Sequence, residues 1–131
     1  ESGWGTSRFA IEGNALFGQW TWTGEGIKPA GSDSDSTHKV MRFKILKASV
    51  KAYQRNLNTH ASYKKFRMER AKLRDNKKEL DSLLLAGYLD KYAETGMEYV
   101  RVLKQIITQN KLKDFDDVKL LPSSINLESL I

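Results

Sequence analysis

The run Phe17-Gly18-Gln19-Trp20-Thr21-Trp22-Thr23 is rich in aromatic and β-branched residues and leads into the turn-forming stretch from Gly24 to Thr37. Past that stretch, Val40-Met41-Arg42-Phe43-Lys44-Ile45 partly alternates apolar and polar side chains, as a half-buried strand does. Together the two segments predict one β-hairpin with a long loop. Downstream the spacing becomes helical: Val50, Tyr53 and Leu57 fall at i, i+3, i+7, and Leu80, Leu83, Leu84 and Tyr88 form a second stripe. A third comprises Tyr99, Val100, Leu103, Ile106 and Ile107. Asn58-Thr59-His60 reads as a break, with Thr59 or Ser62 available to cap the next helix, and Thr95-Gly96 punctuates before a helix from Met97 to Gln109. The pattern is mainly α with one small β element.

The 131 residues, 40% hydrophobic and 10% aromatic, suffice for one packed core. Cys is absent, which excludes a disulfide scaffold, a thiolate zinc site and a cysteine nucleophile. The two histidines, His38 and His60, lie far apart in sequence, and no acidic cluster has the spacing of a metal loop, so no metal or cofactor is expected. No apolar run approaches the ~20 residues of a membrane-spanning helix. The chain opens without an initiator Met, a basic n-region or an apolar h-region, which reads as a fragment or processed product.

The net charge of +6 is unevenly distributed. Residues 38–78 hold fourteen Lys/Arg against Glu69 and Asp75, while the flanking segments are each net acidic. This basic block could track a polyanion, but no RNA-recognition aromatic signature accompanies it, and Lys64 to Lys78 reads as an exposed helix carrying Phe66, Met68 and Leu73. Nucleic acid is not an expected partner.

The remaining chemistry is that of carboxylates. There is no Gly-x-Ser-x-Gly elbow, and Gly3, Gly5 and Gly13 do not make a phosphate-cradling loop. Glycoside hydrolysis needs a carboxylic acid kept protonated near neutral pH, which an apolar or aromatic surrounding favours. Glu1 lies three residues before Trp4. Sugars offer C–H faces for stacking and hydroxyls for hydrogen bonding, chemistry that Trp20, Trp22, Asn14, Gln19, Asn56 and Asn58 supply. Trp4, Phe17 and Tyr53 are expected to pack in the core, whereas Trp20 and Trp22 on an exposed hairpin are harder to explain as core. Tyr92 and Tyr99, seven residues apart, are expected to share a helical face.

Glu1-Ser2-Gly3-Trp4-Gly5-Thr6-Ser7, followed by Asn14-Ala15-Leu16-Phe17-Gly18, resembles the Glu-Ser-x-Trp-Gly-x-Ser … Asn-x-Leu-Phe-Gly signature of glycoside hydrolase family 73. These are peptidoglycan endo-β-N-acetylglucosaminidases of the lysozyme-like superfamily. The segment from Tyr53 to Tyr63, with Phe66-Arg67 and Arg70, is similar to the Bax-like branch, and Leu89 to Tyr99 resembles the family's Tyr-Ala-x-x-x-x-x-Tyr element.

The resemblance implies a mainly α, α+β lysozyme-like fold: a helical domain over residues 1–113, its N-terminal helix truncated, with a small β-hairpin lobe lining a glycan groove. Residues 114–131 would be a C-terminal tail. It implies Glu1 as general acid, Asn14 to Gly18 shaping the cleft floor, and Tyr92 as the cleft tyrosine. The substrate-binding candidates are Asn14, Phe17, Trp20, Trp22, Asn58 and Tyr63, the partner is the glycan strand of peptidoglycan, and the location is the cell envelope, periplasmic or exported.

Many family members place a Glu just before the second hairpin strand, where this chain has Thr37-His38-Lys39. Glu25 is the nearest substitute, with Asp33 and Asp35 behind it. An inverting pair would stand ~6.5–9.5 Å apart, and without a second acid the substrate's own N-acetyl group could assist. The rival readings are a catalytically disabled glycan-binding module and a nucleic-acid-binding helical domain using residues 38–78.

Overall fold

Ser7 starts the first helix because its hydroxyl accepts a hydrogen bond from the Ala10 amide at 3.2 Å, capping α1 (Arg8–Gly13). The computed structural model describes residues 2–32 and 37–119. Glu1, Asp33, Asp35 and the tail from residue 120, with Pro122 and its apolar neighbours, lie outside the described residues. The chain divides into two compact units, Glu1–His60 and Ala61–Ile131.

In the first unit α1 is followed by β1 (Trp20–Thr21), β2 (Gly26–Ile27) and β3 (Lys39–Met41), then by α2 (Leu46–Thr59). The expected hairpin pairs β1 antiparallel with β3, Trp20 opposite Val40 and Thr21 opposite Lys39. The structure adds a strand that the alternation did not show: β2, from within the supposed loop, pairs with the other side of β3, giving the order β1-β3-β2. Gly26 is required there, because a Cβ would stand 2.6 Å from the Lys39 Cβ and 2.7 Å from the Val40 carbonyl oxygen. Val40 is buried at the centre of the sheet.

Trp4, expected in the core, is 89% exposed. Gly3, Trp4 and Gly5 all have positive φ, and this left-handed turn, closed by the Thr6 amide on the Gly3 carbonyl at 3.0 Å, carries the indole outward. Phe17 and Tyr53, also expected in the core, are half-buried and stack on each other instead: their rings lie 4.1 Å apart and 8° from parallel, joining the turn after α1 to α2.

The second unit opens with a 3-10 turn (Ala61–Tyr63) that runs directly into α3 (Lys64–Asp75). Neither Thr59 nor Ser62 caps it: Thr59 donates its hydroxyl back to the Arg55 carbonyl inside α2, and Ser62 lies within the 3-10 turn. The short α4 (Ser82–Ala86) follows, then α5 (Met97–Gln109), which spans the expected bounds, and a second 3-10 turn (Leu112–Phe115). α5 packs on α4 and on the final turn, burying Leu85, Ala86, Leu89, Val100 and Ile107. Leu84, counted in the expected stripe, is 40% exposed, while Leu85 turns inward. A helix of five residues is too short for sequence periodicity to fix its phase.

Asp81 holds the start of α4. Its carboxylate accepts from the Leu84 amide at 2.9 Å and from Lys113 Nζ at 3.0 Å, and Asp116 accepts from the Ser82 amide and hydroxyl at 2.9 and 3.0 Å. The Leu84 amide, and secondarily Lys113, hold the Asp81 carboxyl below the ordinary aspartate range.

The whole is a mainly α, α+β fold. Among the described residues no helix is long and apolar enough to cross a membrane.

Candidate active site

Asn14 ends α1 in the left-handed conformation, φ 50° and ψ 26°, which suits its short polar side chain better than a bulky one. Four hydrogen bonds brace the turn it opens. Asn14 Nδ2 donates to the Phe43 carbonyl at 3.0 Å, and the Phe43 amide donates back to the Gly13 carbonyl at 2.8 Å. The Ala15 amide reaches the Phe9 carbonyl at 3.1 Å, and the Leu16 amide donates to the hydroxyl of Ser49, a fully buried residue of α2, at 3.1 Å. The turn is therefore pinned to α1, to the exit of β3 and to α2, and Phe17 adds its stack on Tyr53.

A cavity of about 220 Å³ opens beside this brace, lined by Glu12, Asn14, Glu25, Arg42, Phe43 and Lys44. Glu25 is anchored through its backbone, its carbonyl accepting from the Arg42 amide at 3.2 Å beside the β2–β3 pair. Both carboxylate residues, Glu12 and Glu25, are exposed and so accessible to solute. Sequence reasoning singled out Asn14 and Glu25 but missed Glu12, Arg42 and Lys44. The cavity's membership depends on the Asn14–Phe43 bond across 29 positions, and no local pattern signals that.

β1 presents an aromatic surface. Thr21 points inward, 8% exposed, and accepts from the Gly24 amide at 3.0 Å, so strand alternation sends Trp20 and Trp22 outward at 47% and 67% exposure. The Trp20 ring lies 4.3 Å from that of His38, tilted by 57°. One indole is thus steadied by an imidazole. Exposed indoles of this kind offer flat faces for sugar C–H groups.

In the second unit Tyr92 lies between Tyr63 and Tyr99, with ring centroids 6.3 Å and 5.4 Å away. Tyr92 and Tyr99 do not share a helical face. Tyr92 sits in the turn before α5, its amide on the Leu89 carbonyl at 3.0 Å, and folding of that turn brings the two rings together. Tyr63 is 5% exposed, so its ring supports Tyr92 from inside the unit rather than offering an open face. Asn58 is exposed near the end of α2. Glu1 lies outside the described residues. No group of His, Asp and Glu that could hold a metal occurs among the described residues.

The first unit thus presents a braced turn, two outward indoles and a pair of carboxylates in one cavity. The family model for glucosaminidase, described as mannosyl-glycoprotein endo-beta-N-acetylglucosaminidase, matches residues 1–112, and the chain belongs to this family of glycoside hydrolases. It is 35% identical over 111 residues to Protein bax of Escherichia coli (strain K12), a match that covers 85% of this chain and 39% of that protein. The chain thus spans about two-fifths of the length of that relative. No solved structure matches it.

Proposed function

We propose that the chain is a peptidoglycan hydrolase of the cell envelope that cleaves the β-1,4 bond after N-acetylglucosamine, with residues 1–113 as its catalytic domain. The observation that carries this reading is the glucosaminidase match over residues 1–112, a span containing every residue assigned a role here. Glu1 is the general acid that protonates the leaving glycosidic oxygen. Glu25, or Glu12 in the same cavity, accepts a proton from the attacking water. Trp20 and Trp22 stack on sugar faces, and Asn14 and Asn58 supply amide hydrogen bonds. Phe17 holds the Asn14 turn in place through Tyr53, and Tyr92, flanked by Tyr63 and Tyr99, is the tyrosine assigned to substrate.

A second reading, a glycan-binding module without hydrolytic competence, is favoured by one observation. Thr37 and His38, which lead into β3, and Lys39, its first residue, include no carboxylate. Release of soluble glycan from purified peptidoglycan separates the two readings. The hydrolase reading expects release by the unaltered protein and a loss of at least tenfold in Glu25→Gln or Glu12→Gln. Tight association with the wall and no release would favour the binding module. Release unaffected by either substitution would point to the substrate's own N-acetyl group, whose carbonyl oxygen attacks the anomeric carbon as the glycosidic bond breaks, in place of a second protein carboxylate.

A further inference from the structure

α2 holds Lys47, Lys51 and Arg55 and no acidic residue. The three cations fall at i, i+4, i+8, on the side of the helix away from the buried Ser49, and all are exposed. Among the described residues none forms an ion pair or a side-chain hydrogen bond with any of them. Their charges oppose the fold rather than support it. Like charges four residues apart destabilise a helix, and Lys47 stands in the first turn, where the helix dipole disfavours a cation and no acidic side chain offsets it. Beside the stripe Leu46 and Val50, also four apart, are 52% and 37% exposed. In the chain the stripe follows directly on the candidate site: Lys44, three residues before Lys47, lines the cavity with Glu12, Asn14 and Glu25.

We propose that the Lys47–Lys51–Arg55 stripe of α2 binds the carboxylates of a peptidoglycan stem peptide whose glycan strand occupies the cavity that Lys44 lines; this rests on the reading under Proposed function. Stem peptides carry carboxylates alongside alanine methyl groups, and the stripe offers cations alongside Leu46 and Val50. The lysine ammonium groups meet carboxylates as point charges, and Arg55 meets them as a planar, two-pronged donor. From Lys47 to Arg55 the helix rises ~12 Å, about the reach of four extended peptide residues, so one stem can span the stripe. Other anionic partners fit less well. A single-stranded nucleic acid wants open aromatic faces, and the aromatic ring of α2, Tyr53, is stacked on Phe17. A lipid surface wants a broad apolar helix face, where α2 exposes two aliphatic side chains beside its cations.

The test is sedimentation of the Glu1→Gln protein with insoluble peptidoglycan, intact or with its stem peptides removed by an amidase, at low and high salt. A Lys47→Gln/Lys51→Gln/Arg55→Gln variant should bind intact wall about tenfold more weakly than the parent and stripped wall equally well. Parent binding to intact wall should fall with salt. A Lys64→Gln/Lys65→Gln/Lys78→Gln variant removes the same charge elsewhere, at exposed positions, and should bind intact wall as the parent does. Equal binding of parent and stripe variant to intact wall would overturn the proposal, as would equal weakening by the two triple variants. So would stripe-dependent binding to DNA or anionic vesicles that exceeds binding to intact wall. The stripe variant should unfold at the same urea concentration as the parent or a higher one, since it relieves like-charge repulsion; a lower midpoint would show that the stripe serves the fold and would overturn its assignment to a ligand. Hydrolysis of stripped glycan by the chain with Glu1 intact reports on the enzymatic reading separately: its absence alongside stripe-dependent wall binding would overturn the hydrolase reading while leaving the stripe standing.

Discussion

Asn14 donates its side-chain amide to the carbonyl of Phe43 at 3.0 Å, tying the end of α1 to the exit of β3 across 29 positions. The same residue holds a left-handed backbone that a β-carbon makes costly. Asn14→Ala should therefore lose both contributions, about 2–3 kcal/mol by urea unfolding, and Asn14→Gly about 1 kcal/mol, since glycine restores the backbone freedom alone. Equal stability of the two variants would show that the backbone conformation carries no cost here.

Ser49 is fully buried, and its hydroxyl accepts from the Leu16 amide. Water cannot replace it. Ser49→Ala should cost about 1–3 kcal/mol in thermal or urea unfolding, the penalty for a buried donor left without its acceptor.

Trp22 is two-thirds exposed, so its removal should barely affect folding. Trp22→Ala should stay within about 0.5 kcal/mol of the parent in stability while weakening glycan association about three- to tenfold, as loss of a stacking face does. Trp20→Ala should also lose some stability, because its ring packs on His38. Binding unchanged in Trp22→Ala would remove that indole from the glycan surface.

Asp81 gives a pH dependence whose sign follows from its lowered pKa. A carboxyl depressed in the folded state stabilises the fold above its unfolded value of ~3.9, and that contribution is lost as pH falls through the lower folded value. The stability of Asp81→Asn should be lower than that of the parent at neutral pH and should converge on it below about pH 4. The measurement is urea unfolding across the acid limb; parallel curves would contradict the assignment.

Much of the helical architecture was legible in the sequence. α5 begins at Met97 and ends at Gln109 as the spacing and the Thr95-Gly96 punctuation imply, because thirteen residues suffice for a 3.6-residue period to declare itself. β2 was not legible. Two residues cannot show alternation, and Gly26 reads as a turn residue although the close approach of Lys39 and Val40 demands it in the sheet. The outward Trp4 and the Tyr92–Tyr99 stack were misread for a common reason. Both depend on turns whose backbone course, positive φ at Trp4 and the bend after Leu89, leaves no periodic trace. In the cavity Glu25 was legible as the nearest hairpin acid, whereas Glu12 arrives there only because α1 is tied to the end of β3.

The central claim is that this glucosaminidase-family chain hydrolyses peptidoglycan with Glu1 as its acid. Mass spectrometry of fragments released from purified peptidoglycan, with Glu1→Gln in parallel, tests it most directly. The account predicts new N-acetylglucosamine reducing ends that disappear in the variant. Fragments ending in another sugar, or the same reducing ends released equally by Glu1→Gln, would contradict it.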